Sequence, residues 1–363
     1  MPSAFEPVRS SRRTFLLVGA ALGIGAVGLS GCGPAGGGAS ESPSGSTTGQ
    51  QPGGTSDPRS AGQTQAPPDF PGAAEAADLH ERLATYATTV LTVGREDKKL
   101  DAAGRKLISA IRDQHAAQAA ALRTTDPTDP TASGPSPSPV ASPTAKPPSF
   151  AKAVAQLETA AAKAAVSHRK SALATDQLTA LLWGSLAASA TATASILKAA
   201  DLAGDDPKPN GAKVAKVRAR TLMPVVTTVA AEQEVVRQLH ALIYGYQLAL
   251  GRLQGARRKS ADNELRRHRI LRDRLTTRLL NRKADVPVAK AAYVPSTNPR
   301  NAATAAKLIR QMETGFQPFC GLWLAAAPTQ AERTEALQQL DHTVTVARRW
   351  GASLSTWPGW QLA

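Results

Sequence analysis

The chain has 363 residues, 42% of them hydrophobic but only 4% aromatic, two cysteines and a formal net charge of +15. That length accommodates two domains of ordinary size, and two cysteines exclude a disulfide-stapled scaffold. No glycine-rich phosphate loop, Gly-x-Ser-x-Gly elbow, Cys-x-x-Cys or His-Glu-x-x-His motif occurs, so the corresponding nucleotide, serine-hydrolase, dithiol and zincin chemistries have no signature here.

At the N-terminus stand Ser11-Arg12-Arg13-Thr14-Phe15-Leu16, an apolar stretch, and Leu29-Ser30-Gly31-Cys32. These residues resemble a bacterial twin-arginine export signal that ends in a lipobox. Arg9, Arg12 and Arg13 form a basic n-region, Phe15 to Leu29 a Gly- and Ala-rich h-region, and small residues precede the cysteine. The h-region is about fifteen residues, short of the ~20 that a spanning helix needs; a permanent N-terminal transmembrane anchor is the alternative. The resemblance implies that residues 1–31 are removed, that Cys32 becomes an acylated N-terminus, and that the body sits on the outer face of the cell membrane. It also implies export in a folded state, for which cofactor loading or fast folding is the reason. No later segment is expected to be long and apolar enough to span. Cys320, in the apolar stretch Phe319-Cys320-Gly321-Leu322-Trp323, is then the spare thiol, expected to be buried and inert rather than reactive.

Residues 32–70 are dominated by Gly, Ser, Pro, Thr and Gln, a composition that buries too little apolar area to offset the entropy of ordering. As a flexible tether of roughly 38 residues they would hold the body about 30–40 Å from the bilayer.

Beyond the tether the periodicity is helical nearly throughout. It predicts helices at about 73–94, 98–123, 149–172 and 174–201, an N-terminal bundle over residues 71–201. A Pro/Ser/Thr tract at 124–148 divides its second and third helices and is expected to be a disordered loop. Residues 202–221 are expected to be a linker. Four more helices are predicted at about 222–254, 256–283, 300–326 and 329–355, with a tail at 357–363. Two sets of four helices, each with its long connection in the middle, suggest a duplicated bundle. The predicted fold class is all-α, with a ferritin-like four-helix bundle over 222–356 preceded by a more divergent helical bundle.

Positive charge is concentrated. Between Arg252 and Lys283 twelve Arg or Lys face only Asp262, Glu264 and Asp273. A solvated face is the first reading. Docking onto anionic lipid or wall polymer is the second, since nucleic acid is not available outside the membrane.

The helix beginning near Leu222 carries a heptad-like stripe, Val225, Val229, Glu232, Val236, Leu239, Ile243, Tyr246 and Leu250, in which Glu232 is the lone carboxylate. Leu239-His240-Ala241-Leu242-Ile243-Tyr244-Gly245-Tyr246, His268-Arg269-Ile270-Leu271-Arg272-Asp273, the aromatic-rich third helix through Trp323, and Val346-Ala347-Arg348-Arg349-Trp350 resemble a family of actinobacterial lipoproteins that carry a C-terminal ferritin-like domain of unknown function. The resemblance covers about residues 222–356 and implies a fold and an envelope location, with no assigned reaction. Asp113-Gln114-His115-Ala116-Ala117 resembles a distant copy of the same pattern.

A di-iron bundle needs a Glu from each of two helices and Glu-x-x-His from each of the others. Glu232 and Glu313 supply carboxylates, and Glu264 with His268 points inward, but at i, i+4. The last helix offers Gln339 and His342, the latter expected to face water. The ligand set is broken, and no metal is assigned. Glu232, Glu264, His268 and Glu313 are instead expected to form a buried polar cluster, with a mononuclear divalent metal as the alternative. His115, in line with Ile108, Ile111 and Leu122, is read as a satisfied core histidine. Trp357-Pro358-Gly359-Trp360 either packs back on the bundle or contacts a sugar polymer or partner. The functional expectation is a non-enzymatic envelope lipoprotein whose helical body binds or scaffolds an unknown partner. A metal- or redox-active ferritin-like protein and an electrostatic binder of anionic lipid or wall polymer are the alternatives.

Overall fold

The computed structural model describes residues 70–132, 148–200, 202 and 213–362. Arg12, Arg13, Cys32, nearly all of the tether and the centre of the Pro/Ser/Thr tract lie outside the described residues. Among the described residues there are eight helices: α1 (Ala73–Glu96), α2 (Ala102–Leu122), α3 (Phe150–Ala174), α4 (Gln177–Ala200), α5 (Thr228–Leu250), α6 (Gly255–Asn281), α7 (Ala302–Ala326) and α8 (Gln330–Arg349). The fold is all-α.

Local chemistry explains where helices begin and end. Asp101 accepts from Gly104 N to cap α2, Thr227 caps α5 through Ala230 N, and Asn301 and Thr304 form a reciprocal capping box on α7. Helix α5 starts later than the periodicity suggests because Pro224 biases its predecessor away from helix, and Thr227 is the first good cap beyond it. Helix α8 stops at Arg349 because Gly351, at φ +90°, turns the chain left-handed.

In the second set of helices, α5 runs antiparallel to both α6 and α7. Glu232 meets Arg278 and Arg282 while Tyr246 lies beside His268, and Thr228 donates to Ala326 O while Tyr246 reaches Glu313. A long crossover then carries the chain from α6 to α7 along α5, which holds it through Gln233 to Asp285 O and His240 to Pro287 O. This is the one-crossover bundle of ferritin-like folds. The first set repeats the antiparallel packing of α1 on α2 and α3, with Arg123 on Asp78 and Glu81 and with Gly94 against Phe150.

Helix α4 joins the two sets. By length and composition it is long and apolar enough to cross a membrane, which corrects the expectation that no later segment qualifies. Yet 83% of its apolar window is buried inside the fold. A helix that is apolar all round must be covered on every side, and α4 is covered by α3, α7 and α8. Gly184 makes this possible: a Cβ there would stand 2.4 Å from Leu324 Cδ2. Arg348 donates to Ala192 O at 3.1 Å, and Arg169 pairs with Asp341. One continuous apolar core results.

The C-terminal tail fastens this core. Trp357 and Trp360 are buried and hold the guanidinium of Arg220 between them, at 4.4 and 4.7 Å from the two ring centroids. Arg220 also donates to Pro127 O at 2.8 Å, and burial pushes its pKa down to about 10. The tail aromatics therefore pack back on the body. Residues 124–132 are ordered by Asx turns in which Asp126 accepts from Thr128 and Asp129 from Thr131. Residues 213–221 run extended beside the tail, with bridges Val214–Leu354 and Arg220–Leu362.

Candidate functional site

Each helix of the second bundle sends one side chain to a common point. Glu313 of α7 is fully buried, and its Oε1 accepts from Tyr246 of α5 at 2.5 Å and His268 of α6 at 2.8 Å. Its Oε2 accepts from Thr343 of α8 at 2.5 Å. Burial pushes the Glu313 pKa up, but the His268 charge and the three donated hydrogen bonds outweigh it and hold the carboxyl below its ordinary value. A buried, ionised carboxylate is the result. Burial and then the Glu313 charge raise the Tyr246 phenol well above its usual range, so it remains a donor. The same two causes raise the Cys320 thiol and keep it unreactive. His268 spends Nε2–H on Glu313, and its Nδ1 is buried with no protein partner.

The other two candidate carboxylates turn elsewhere. Glu264 accepts from His342 Nε2 at 2.6 Å and from Arg349 at 3.3 Å. His342, expected to face water, is thus half-turned into the bundle, because α8 packs beside α6 at the register that brings it opposite Glu264. Glu232 is fully buried and clamped by Arg278 and Arg282 of α6; Arg282 also pairs with Glu332 at 2.6 Å, and Arg278 and Arg274 with Glu335 of α8. Of Glu232, Glu264, His268 and Glu313, the structure therefore brings only His268 and Glu313 into direct contact. Glu264 and His268 share a helix face but serve different neighbours.

A di-iron centre does not fit these donors. Glu313 is saturated by side chains from three helices, Glu264 and Glu232 are held by separate cations, and Gln339 stands where α8 would need a carboxylate. Among the described residues no three His, Cys, Asp or Glu side chains are placed to hold a metal ion.

A second polar core lies in the first bundle, where sequence reasoning singled out only His115. His80 of α1, His115 of α2 and His168 of α3 are all buried and linked in a row: His115 Nδ1 to His80 Nδ1 at 3.1 Å, and His80 Nε2 to His168 Nε2 at 3.1 Å. The His80 and His168 rings lie parallel, 5.0 Å between centroids, and His168 stacks on Trp183 of α4 at 5.5 Å. The network assigns the protons. Gln118 Nε2 donates to Thr356 O at 2.8 Å, so its Oε1 faces His115 Nδ1 at 3.0 Å and requires a proton there. That N–H is shared with His80 Nδ1, which leaves His80 to donate from Nε2 to His168. His115 Nε2 is left bare and buried. Only neutral imidazoles satisfy this row. Burial depresses all three pKa values, His115 and His168 to about 4 and His80 well below its ordinary value with help from the other two rings. The signal was present in the sequence. His80 recurs with Ala76, Ala77, Leu83 and Ala84, and His168 with Ala161, Ala164, Ala165 and Ala172, at helical spacing. Alanine-lined faces read weakly as core.

Comparison with known proteins adds a family description. Residues 231–362 match the family model described as Domain of unknown function (DUF4439), a span that begins within α5 and includes the tail. The chain is similar to a conserved hypothetical protein, rv2844, from Mycobacterium tuberculosis, known from a crystal structure, with 28% identity over 34% of this chain and 93% of that one and a TM-score of 0.33. No curated protein matches.

Proposed function

We propose that the chain is an exported lipoprotein held on the outer face of the cell membrane through Cys32, and that its helical body is a non-enzymatic binding or scaffolding module. What supports the second half is the use made of the chemically capable side chains. Glu313, a fully buried carboxylate, accepts hydrogen bonds from Tyr246, His268 and Thr343, one from each of the other helices of its bundle. Such a fully satisfied group holds helices together and offers no open position to a substrate. The first half rests on Arg12-Arg13 and Leu29-Ser30-Gly31-Cys32, and an acyl group with more than one chain gives stable anchoring.

Fractionation tests the anchor. Native protein should resist a high-salt wash of the membranes, and Cys32→Ser should come off; equal retention of both would defeat the proposal. Elemental analysis of the natively exported protein tests the module. Stoichiometric iron, zinc or manganese that is lost in Glu313→Ala or His268→Ala would replace the scaffold reading with a metalloprotein.

A further inference from the structure

Helix α6 is the outermost element of the second bundle, packing its apolar stripe (Leu265, Leu271, Leu275, Leu279) inward. Its cations divide into two groups. Arg274, Arg278 and Arg282 are spent on the glutamates of α5 and α8, Arg266 pairs with Asp262, and Arg272 with Asp273. The exposed Arg257, Lys259, Arg267 and Arg269 have no acidic partner among the described residues. The one remaining acid of the helix, Glu264, is turned inward to His342 and Arg349. Arg257 stands at the helix start on the side of the apolar stripe, beside Arg349 and Trp350, so after internal pairing Lys259, with Arg267 and Arg269 on its flanks, leaves the outward side uncompensated positive charge. It also carries two exposed apolar side chains that a bilayer surface would take up. Ile270 is 59% exposed and Leu280 60% exposed, and Ile270 has Arg266, Arg267 and Arg274 at helical neighbour positions.

We infer that this face of α6 docks on an anionic lipid bilayer. The inference rests on the proposed envelope location and names the partner for it. Basic residues near an anionic surface gain about 1 kcal/mol each, roughly fivefold in partition, and the isolated Ile270 and Leu280 enter the headgroup–acyl boundary as interfacial helices do. A bilayer fits better than a soluble polyanion because a polyanion uses the charges and leaves Ile270 and Leu280 in water. Anchoring through Cys32 raises the local concentration of the face at the membrane to the millimolar range, so weak intrinsic affinity suffices to lay the body down on the bilayer.

The test uses the full chain carrying Cys32→Ser, sedimented with vesicles of phosphatidylcholine alone or with about one-third phosphatidylglycerol, at about 0.05 and 0.3 M NaCl. Binding to the anionic vesicles should exceed binding to the neutral ones at least ~tenfold and fall steeply at the higher salt. The charge reversal K259E/R267E/R269E, all at exposed positions outside the internal ion pairs, should lower binding by about a hundredfold or more. I270S/L280S should lower it severalfold, with helical circular dichroism unchanged in both. The inference is overturned by absence of sedimentation with anionic vesicles, by wild-type binding of the charge-reversed chain, by indifference to I270S/L280S, or by tighter retention on a polyol-phosphate wall polymer than on the vesicles. Each of these leaves the Cys32 fractionation result untouched.

Discussion

Acid should unfold this protein through the histidine row, and replacing His168 by Phe should flatten that dependence. In the unfolded chain an imidazole takes up a proton as the pH falls through 6.5, whereas folded His115 and His168 resist protonation down to about 4. Across that window the unfolded state binds more protons, so stability is complete above pH 6.5 and lost progressively as the pH drops to 4. At ~1.4 kcal/mol per pKa unit each of the two contributes on the order of 3 kcal/mol, together roughly 6, and His80 acts in the same direction. Domains have about 5–15 kcal/mol in all, so this is enough to unfold the chain near pH 4–5. His168→Phe keeps the stack between His80 and Trp183 but removes one titrating group. At neutral pH it should cost about 1–3 kcal/mol, because the buried His80 N–H loses its acceptor. The loss between pH 6.5 and 4 should shrink by about 3 kcal/mol. Urea unfolding followed by circular dichroism in small steps from about pH 8 to pH 4 reads both quantities. A His168→Phe chain whose stability falls as steeply with acid as the native one would refute the reasoning.

Three further outcomes follow from packing and charge. Gly321→Ala places a Cβ 2.0 Å from Gly359 O, a backbone atom with nowhere to go, and should destabilise by about 1–3 kcal/mol or more with a red shift of Trp357 and Trp360 emission. Gly315→Ala in the same helix meets nothing within 4 Å and should leave thermal stability unchanged or up to ~1 kcal/mol higher. Glu313→Gln keeps the shape but removes the charge that three donors converge on, and should cost about 2–4 kcal/mol by chemical denaturation.

All eight helices were legible because each is amphipathic, or in α4 uniformly apolar, over more than five turns, a pattern that local spacing carries. Inward orientation of Glu232, Glu264, His268 and Glu313 was legible for the same reason. Their partners were not. Glu264 and His268 stand four residues apart on one face, yet one meets His342 of α8 and the other Glu313 of α7. His80 and His168 escaped notice because alanine faces give little hydrophobic contrast. The basic run read as one feature, although three of its arginines are internal clamps and four other cations have no acidic partner among the described residues.

By itself the sequence determined what each helix could bury and which faces carry charge, since periodicity is a property of consecutive residues. Only the tertiary structure decided who meets whom: that α4 is the shared core helix, that three histidines from three helices form one neutral row, and that the tail clasps Arg220. Those pairings join residues far apart in the chain, and their energies depend on helix register and spacing that no local pattern encodes.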